Sequence, residues 1–412
     1  MADFAITNAR VVLPDRVLDR ATVCVSDGLI EDVQATARFT TPAAPDLIDA
    51  GGALLMPGLV DLHNDALELE VNPRPRARLP LPFALNNLER RLIAAGVTTE
   101  FHAIGFMERP AAFRTIDNAR ERSAYIAELT SGPPRAIDHH VLHRINVRDR
   151  DALDIVFDSL DSLPIRYASL DDHTPGQGQY RDVDKMYHHL KQHNEARGGI
   201  AQEREDLERR MALAASDTTT VPYVYERVRA KSRLLPITLA SHDDHTPEKV
   251  DALFEVGARI AEFPVAFEAA ERARERGMTI VVGAPNVLRG GSQSGNIAAG
   301  DLIRHGLADI ICADYHAPSM LAAVFRIVDE GLKDIPSALR MVTLNAAQAV
   351  GLADRGAIQA GMRADLILVQ LDSLGFPHVE ATFTRGRRTS TFSAQGNGME
   401  RFAVGGALYD LA

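Results

Sequence analysis

The stretch LMPGLVDLHND, residues 55–65, carries the pattern that decides the fold. A short aliphatic run ends abruptly in the polar residues His63, Asn64 and Asp65. A predominantly aliphatic run is typical of a strand buried in a parallel sheet. Because the carboxyl ends of parallel strands meet at one rim of a barrel, polar side chains at these ends are expected to converge. The same pattern occurs at residues 165–173, 237–245 and 310–316.

Short apolar runs alternate with amphipathic helical segments, such as 266–277 and 301–306, through the middle of the chain. This alternation is typical of βα units, and eight such units imply a closed barrel. The sequence therefore predicts an α/β fold, a (β/α)₈ TIM-like barrel. The eight predicted strands are residues 55–63, 97–104, 137–147, 165–172, 237–242, 260–264, 279–284 and 310–314.

Both ends of the chain differ from its middle. β-branched residues alternate with polar ones there, and Asp-Gly, Pro and Gly-rich turns interrupt them. We predict a small β-sandwich domain formed by residues 1–55 and 352–412, around a barrel of residues 56–351. A charged helical insertion is predicted at about residues 181–233, where it would form a lid or the arm of a homodimer.

The composition excludes several classes of partner. The formal net charge of −11 disfavours nucleic acid, because an acidic surface repels phosphate backbones. Local arginines remain compatible with a small phosphorylated substrate. The sequence shows no signal-peptide pattern and no apolar run of about 18 residues, so no membrane partner is expected. Two cysteines form no disulfide framework, and we expect a cytoplasmic protein.

Polar clusters at four predicted strand ends indicate a metal centre. His63 and Asp65 are two residues apart, so both face one side of an extended chain. Burying many imidazoles and carboxylates together is costly unless a cation pairs them, and these groups are ligands of divalent metals. One or two ions are expected, with zinc preferred over manganese, iron or magnesium. The other clusters are residues 171–173, 242–245 and 314–316.

Further polar residues on neighbouring strands have two interpretations. They are metal ligands, or they are structural groups bonded to the backbone, and the second interpretation is preferred. The histidines of the charged insertion, His188, His189 and His193, are interpreted as solvated. The residues with two interpretations are Glu100, His102, His140, His143, Arg144 and Glu262.

A Gly- and Ser-rich stretch after the seventh predicted strand, residues 283–296, indicates an anion site. Small residues let backbone N–H groups approach phosphate, and arginine offers bidentate contacts. The alternative is an ordinary flexible loop. The Arg-rich loop 72–78 either cradles phosphate or is a solvated edge. Candidate substrate contacts are Arg74, Arg76, Arg144, Asn286, Arg289, Gly290, Gly291, Ser292, Ser294 and Asn296.

The entry motif GGALLMPGLVDLH and the exit motif RGAIQAGMRADLILV resemble the amidohydrolase superfamily. Further motifs, in order, are similar to its phosphonate-metabolism branch, from about residue 5 to residue 392. The resemblance implies metal-dependent hydrolysis of a ribose 1-methylphosphonate 5-triphosphate to the 5-phosphate and pyrophosphate. The branch motifs are HNDALE, NPRPR, LDDHTPGQGQY, ASHDDHT, AEFPVAFEAA, GAPNVLRGGSQSGN and ADYHAPSML.

The resemblance also implies a ligand set. Many superfamily members bridge two metals with a carboxylated lysine on strand four, where this chain has none. Strand parity pairs Asp171 with His173, whereas the family motif implies Asp172 and His173. Glu262 stands where a second histidine is usual, which leaves the metal count open. The implied ligands are His63, Asp65, Asp172, His173, His242 and Asp314.

The sequence is therefore interpreted as a diphosphatase acting on a small phosphorylated sugar. Asp314 would orient water and accept its proton. Arg289 and the N–H groups of Gly290 and Gly291 would stabilise the leaving pyrophosphate. One alternative is cleavage of a C–N bond in a small cyclic amide or amidine, which needs no anion cradle. Another is a catalytically inactive scaffold, which is disfavoured because the ligand set is complete.

Overall fold

Two eight-stranded sheets organise the residues that the structure, a computed structural model, describes. These residues are 3–35, 46–74, 77–108, 114–184, 186–187, 204–292 and 294–391. The strands of the terminal sheet are β1 (Phe4–Val12), β2 (Val17–Ser26), β3 (Leu29–Ala35), β4 (Asp46–Asp49), β5 (Leu54–Pro57), β14 (Leu366–Leu371), β15 (Pro377–Thr384) and β16 (Arg387–Thr391). The strands of the central sheet are β6 (Leu59–Asn64), β7 (Val97–Phe106), β8 (Asp138–Asn146), β9 (Tyr167–Asp171), β10 (Thr238–His242), β11 (Ile260–Glu262), β12 (Thr279–Gly283) and β13 (Ile310–Cys312).

Helices cover the outside of the central sheet. Their apolar faces pack on the outward side chains of the strands, such as Leu92 of the second helix and Val324 of the eleventh. The described helices are α1 (Ala66–Val71), α2 (Leu81–Ala94), α3 (Ile116–Ser131), α4 (Leu153–Asp161), α5 (Arg204–Ser216), α6 (Thr220–Leu234), α7 (Pro247–Val256), α8 (Phe267–Glu275), α9 (Ala284–Arg289), α10 (Ala299–Arg304), α11 (Ser319–Asp329), α12 (Ile335–Arg340) and α13 (Leu344–Ala349).

The central sheet is a barrel of parallel strands that follow one another in chain order. Its first and last strands meet through two backbone hydrogen bonds. The N–H of Asp314 donates to the His63 carbonyl at 2.8 Å, and the N–H of Asp65 donates to the Asp314 carbonyl at 2.7 Å. The predicted (β/α)₈ barrel is confirmed, and each predicted strand overlaps an observed one.

The first predicted strand, 55–63, is two strands in the structure. The break falls at Gly58, whose N–H donates to the Asp365 carbonyl in the terminal segment, while the N–H of Leu59 donates to Gly96. The chain therefore changes sheets within two residues. A side chain at Gly58 would lie 2.3 Å from Thr98, so only glycine fits this crossing.

The terminal sheet joins strands from both ends of the chain, as predicted. Phe4 on β1 stacks on Phe383 on β15, with ring centroids 5.5 Å apart. Three strand spacings of about 4.8 Å would hold these residues much further apart in a flat sheet. The sheet therefore folds over on itself and encloses its own core, which includes Val23, Leu55 and Leu366.

An acidic residue at the amino end of β8 fixes the terminal segment to the barrel. Asp138 pairs with Arg355 at 2.5 Å, with Arg363 at 2.7 Å and also with Arg385. Since Asp138 begins its strand, this contact lies at the amino-terminal end of the barrel. The carboxyl ends of the strands, at the opposite end, remain available for the candidate site.

Two predicted segments differ from expectation or fall partly outside the described residues. The predicted Gly-rich loop 283–296 begins as a helix, α9, with Pro285 in its first turn and Gly290 at its end with φ of +77°. Proline pre-organises a first turn and glycine accepts a left-handed cap, so the small residues here serve the helix ends. The predicted insertion contains α5 and α6, and its histidines lie outside the described residues.

Among the described residues, no helix combines the length and the apolar character needed to cross a membrane.

Candidate metal centre and active site

A cavity of about 300 Å³ opens at the carboxyl ends of the barrel strands. One wall carries imidazoles and carboxylates from the strand ends, including His63, His242 and Asp314. Another part of the lining comes from the segment after β12, including Arg289 and Asn296. The predicted convergence of strand ends thus takes place around one cavity.

Glu262, at the end of β11, lies fully buried beneath two of these imidazoles. Its Oε1 lies 3.3 Å from His63 Nδ1, and its Oε2 lies 3.3 Å from His242 Nδ1. The Tyr167 hydroxyl donates to Oε1 at 2.7 Å, and the Ser169 hydroxyl donates to Oε2 at 2.6 Å. Burial opposes ionisation of Glu262, but the His63 charge and the histidine hydrogen bonds hold its pKa far below the ordinary value.

An ionised carboxylate can only accept hydrogen bonds, so both histidines donate to Glu262 through Nδ1. Their Nε2 lone pairs are therefore free for other partners. A ligating histidine commonly gives its second ring N–H to a carboxylate in this way. Although Glu262 lies close enough to group with His63 and His242 as a ligand, its four hydrogen bonds identify it as the residue that orients them.

Carboxylates approach the Nε2 atoms of these imidazoles without forming hydrogen bonds to them. Asp65 Oδ1 lies 3.8 Å from His63 Nε2, and Asp243 Oδ2 lies 3.7 Å from His242 Nε2. Asp243 Oδ2 is also 3.6 Å from His173 Nε2, and it has no hydrogen-bond partner in the described structure. A buried carboxylate oxygen without a donor is costly, which favours a cation at this face.

Arg144, from the end of β8, lies within the same group of side chains. Its Nη1 is 3.2 Å from Asp65 Oδ1 and its Nε is 3.3 Å from Asp171 Oδ2. Its Nη2 lies 3.4 Å from the Nε2 atoms of both His173 and His242. Burial works against the guanidinium charge, but Asp65 and Asp171 raise the pKa of Arg144. Arg144 therefore remains a cation at the centre of the site.

Asp314 follows the last barrel strand and lines the cavity. Burial, and then the charge of Asp65, raise the pKa of Asp314 to about 7. Its backbone has φ of +59°, which is uncommon for a residue other than glycine. A side chain at Gly283 would lie 3.1 Å from the Asp314 carboxylate, so glycine makes room for it. Helix α11 begins without a side-chain cap, so no capping bond from Asp314 accounts for this conformation.

Two other strand-end residues share this backbone strain. Asp243 after β10 has φ of +54°, and Phe263 after β11 has φ of +53°. Left-handed conformations cost about 1–2 kcal/mol for residues with a side chain. Strain of this kind is concentrated at functional sites, where it directs side chains that a relaxed backbone would place elsewhere.

The donors present fit a divalent cation. The imidazoles of His63 and His242 are oriented by Glu262, and the carboxylates of Asp65, Asp243 and Asp314 are nearby. Nitrogen and carboxylate oxygen donors suit zinc and similar ions. Since the pKa of Asp314 is raised by burial and by Asp65, a cation would relieve the repulsion between these acids.

The structure brings together most of the predicted ligands but not Asp172. Its carboxylate pairs with Arg148 at 3.1 Å and caps the N–H of Thr174, away from the cavity lining. Asp171 instead faces Arg144 and His173. The strand-parity alternative is therefore closer to the observed arrangement than the family motif, because the regular strand extends through Asp171.

The residues interpreted from the sequence as either metal ligands or structural groups divide between the site and the barrel wall. His143 bonds the Tyr167 carbonyl at 3.1 Å and the Ser159 hydroxyl at 2.9 Å, so protein groups satisfy both ring nitrogens. His102 contacts His139 at 2.9 Å. His140, His102 and Glu100 do not line the cavity either. Arg144 and Glu262, described above, belong to the centre.

The predicted phosphate contacts have different outcomes. Arg289, Asn286, Ser292, Ser294 and Asn296 line the cavity. The N–H groups of Gly290 and Gly291 donate to carbonyls in α9, to Val287 and Asn286, each at 3.2 Å. These N–H groups are therefore engaged and do not form the anion cradle that the Gly-rich sequence indicated.

The second Arg-rich loop contributes less than expected. Arg74 is exposed and does not line the cavity, and Arg76 lies outside the described residues. Sequence reasoning missed Arg114, which does line it and donates to Glu68 at 2.6 Å. No motif singled out Arg114, because it lies far from any predicted strand end. It also missed Asp243 as a candidate ligand, although the cluster that contains it had been noted.

Comparison with known proteins agrees with this arrangement. The amidohydrolase family profile matches residues 148–389. Alpha-D-ribose 1-methylphosphonate 5-triphosphate diphosphatase of Escherichia coli (strain K12) is 33% identical over 385 residues, which are 93% of this chain and 99% of that protein. Adenine deaminase of Ligilactobacillus salivarius (strain UCC118) is 46% identical over 70 residues, which are 17% of this chain and 11% of that enzyme.

Solved structures share the fold at low sequence identity. A Xaa-Pro dipeptidase with bound methionine has a TM-score of 0.63 at 14% identity, covering 93% of this chain and 99% of that one. N-acetylglucosamine-6-phosphate deacetylase from Pasteurella multocida has a TM-score of 0.61 at 12% identity, covering 94% of this chain and 100% of that one. At such identities the likeness establishes the fold alone.

Proposed function

The chain belongs to the amidohydrolase family, and we propose that it hydrolyses alpha-D-ribose 1-methylphosphonate 5-triphosphate to the 5-phosphate and pyrophosphate. The observation that carries this proposal is the 33% identity to the Escherichia coli diphosphatase over 99% of that protein. Similarity over nearly all of both chains includes the barrel and the site, and it supports a hydrolase linked to phosphonate metabolism.

The lining of the cavity suits a phosphorylated substrate. His63, His242 and Asp314 come from the strand ends, where a hydrolytic centre would act. Arg289 and Arg114 lie elsewhere in the lining, with no carboxylate partner described for Arg289. A guanidinium forms paired hydrogen bonds with phosphate oxygens. The arginines of the lining therefore favour an anionic substrate over a neutral cyclic amide.

The residues of the site have separate tasks in this mechanism. Asp314 would accept the proton of the attacking water, since its carboxylate lines the cavity at the end of the last barrel strand. Arg289 would bind the departing pyrophosphate, and Glu262 would hold His63 and His242 in place. A bound divalent ion, zinc in this proposal, supplies Lewis-acid chemistry that acidifies water and offsets phosphoryl charge.

A turnover assay with the ribosyl triphosphate, monitored for pyrophosphate and for the 5-phosphate, tests the proposal. We expect stoichiometric release of both products, and loss of activity on chelation with recovery when zinc or manganese is returned. Release of inorganic phosphate alone would contradict the assigned bond cleavage. Activity on a cyclic amide or amidine, without triphosphate hydrolysis, would favour C–N bond hydrolysis instead.

A pair of histidine variants tests the site directly. His63→Ala should lose both bound metal and activity, because its Nδ1 is held by Glu262 and its Nε2 lies 3.8 Å from Asp65 in the cavity lining. His305→Ala is the matched control, since His305 is exposed on the barrel exterior, where it contacts the Asp301 carbonyl and the Phe267 ring. Equal activity in the two variants would remove His63 from the metal centre.

A further inference from the structure

We propose that Arg144 occupies the position that a second metal ion would take, so that the centre binds a single divalent ion beside a permanent guanidinium. The inference concerns the same site as the proposed function, and it rests on that function for the presence of one metal ion. It concerns the number of ions, which neither the sequence nor the relatives determine.

A second group of potential ligands is distinct from the pair oriented by Glu262. It consists of His173, His242 and Asp243, whose donor atoms lie close enough together to hold a cation. His173 comes from the turn after β9, and the other two come from the end of β10. Judged by these donors alone, the barrel rim would accommodate a second ion.

Arg144 already uses the donors of that group. Its Nη2 lies 3.4 Å from His173 Nε2 and 3.4 Å from His242 Nε2, so it donates to both lone pairs. Each Nε2 has one lone pair. A zinc ion would need the same lone pairs at about 2.0–2.1 Å. The guanidinium and a second ion therefore exclude each other.

Displacing the guanidinium would be costly. Arg144 is 95% buried and pairs with Asp65 at 3.2 Å and with Asp171 at 3.3 Å. Removing one partner from a buried ion pair leaves an uncompensated charge, which destabilises a protein by several kcal/mol. Arginine also cannot escape by losing its proton, since it stays charged under all physiological conditions.

A lysine that could be carboxylated to bridge two ions is also missing from the described lining of the cavity. The nearest lysine in sequence to these ligands, Lys249, donates to the His242 carbonyl at 2.9 Å and lies 3.7 Å from Asp244. It is held behind the strand end and does not line the cavity. The described donors left for one ion are His63, oriented by Glu262, with Asp65 and Asp314.

The arrangement gives the site two positive charges of different kinds. A metal ion polarises water, whereas a guanidinium contributes a fixed charge and directional hydrogen bonds. Arg144 would therefore bind a phosphoryl oxygen that enters the cavity. His173, bonded to Arg144, would act as a positioning residue for the guanidinium and not as a metal ligand.

The experiment measures metal stoichiometry in purified full-length protein saturated with manganese, by elemental analysis and by electron paramagnetic resonance. We expect one equivalent in the wild type and a spectrum without coupling between two ions. Arg144→Met should bind a second equivalent and give a coupled spectrum. Arg144→Lys should remain at one, because a cation is retained. The control Arg114→Met removes another cavity arginine, one that does not contact His173 or His242, and should also remain at one.

A second variant keeps the test decisive if Arg144→Met does not fold. His173→Ala should retain one ion with an affinity within about threefold of the wild type, since loss of a true ligand costs at least tenfold. Two ions in the wild type, or loss of the ion in His173→Ala, would overturn the inference. Failure to hydrolyse the triphosphate, with one ion still bound, would overturn only the proposed substrate.

Discussion

The substitution Glu262→Gln probes the group that orients the centre. The carboxylate accepts four hydrogen bonds, with His63 and Tyr167 on one oxygen and His242 and Ser169 on the other. An amide offers one oxygen and one NH₂ group. Whichever way it turns, one histidine Nδ1–H faces the NH₂ group.

That histidine must change tautomer to restore a hydrogen bond. Its proton then moves from Nδ1 to Nε2. On His63 this proton blocks the lone pair offered to the ion, and on His242 it blocks the lone pair that accepts from Arg144 beside the ion site. Loss of such an orienting partner weakens metal binding by about 10- to 100-fold, or about 1.4–2.8 kcal/mol. We expect this change in the dissociation constant, measured by chelator competition, with the stoichiometry at saturating metal unchanged.

Glu89→Gln provides the matched control. Glu89 on α2 is also a buried carboxylate that contacts a histidine, His139 at 3.4 Å, together with Arg135. Its substitution should lower stability without changing metal affinity. Unchanged metal affinity in Glu262→Gln would refute the tautomer argument. Loss of all metal at saturating concentrations would instead make Glu262 a direct ligand.

Three further substitutions test separate parts of the structure. Asp314→Asn should lower kcat by about 10²–10⁴-fold with metal content checked in parallel, because an amide cannot accept a proton; activity near the wild-type level would remove Asp314 from catalysis. Arg289→Ala should lower kcat/KM by about 30- to 100-fold at unchanged metal content, as expected for a lost phosphate contact; normal kinetics would make this segment structural. Asp138→Asn should lower the free energy of unfolding in urea by about 3 kcal/mol, since three arginines lose their shared partner. The control Asp251→Asn, which removes a half-buried surface acid paired with Arg272 and Arg276, should have a much smaller effect.

Some features of this protein are readable in the sequence because they depend on neighbouring residues. An apolar run such as that before His63 determines a buried strand, and the polar residue that ends it marks the rim. Closure of the barrel then brings the strand ends together at one rim. His63, His242 and Asp314 could therefore be assigned to one cavity from the sequence alone. The general position of the site follows from topology alone.

The roles within that cavity depend on contacts between residues far apart in the chain. Glu262 and His63 are 199 positions apart, and Arg144 and His242 are 98 apart. No local pattern shows that Glu262 orients two histidines or that Arg144 lies between His173 and His242. Asp171 and Asp172 are adjacent and chemically identical, yet one faces Arg144 and the other faces Arg148. The direction of each side chain at a strand end is decided by where the regular backbone stops, and only the packed barrel determines that point.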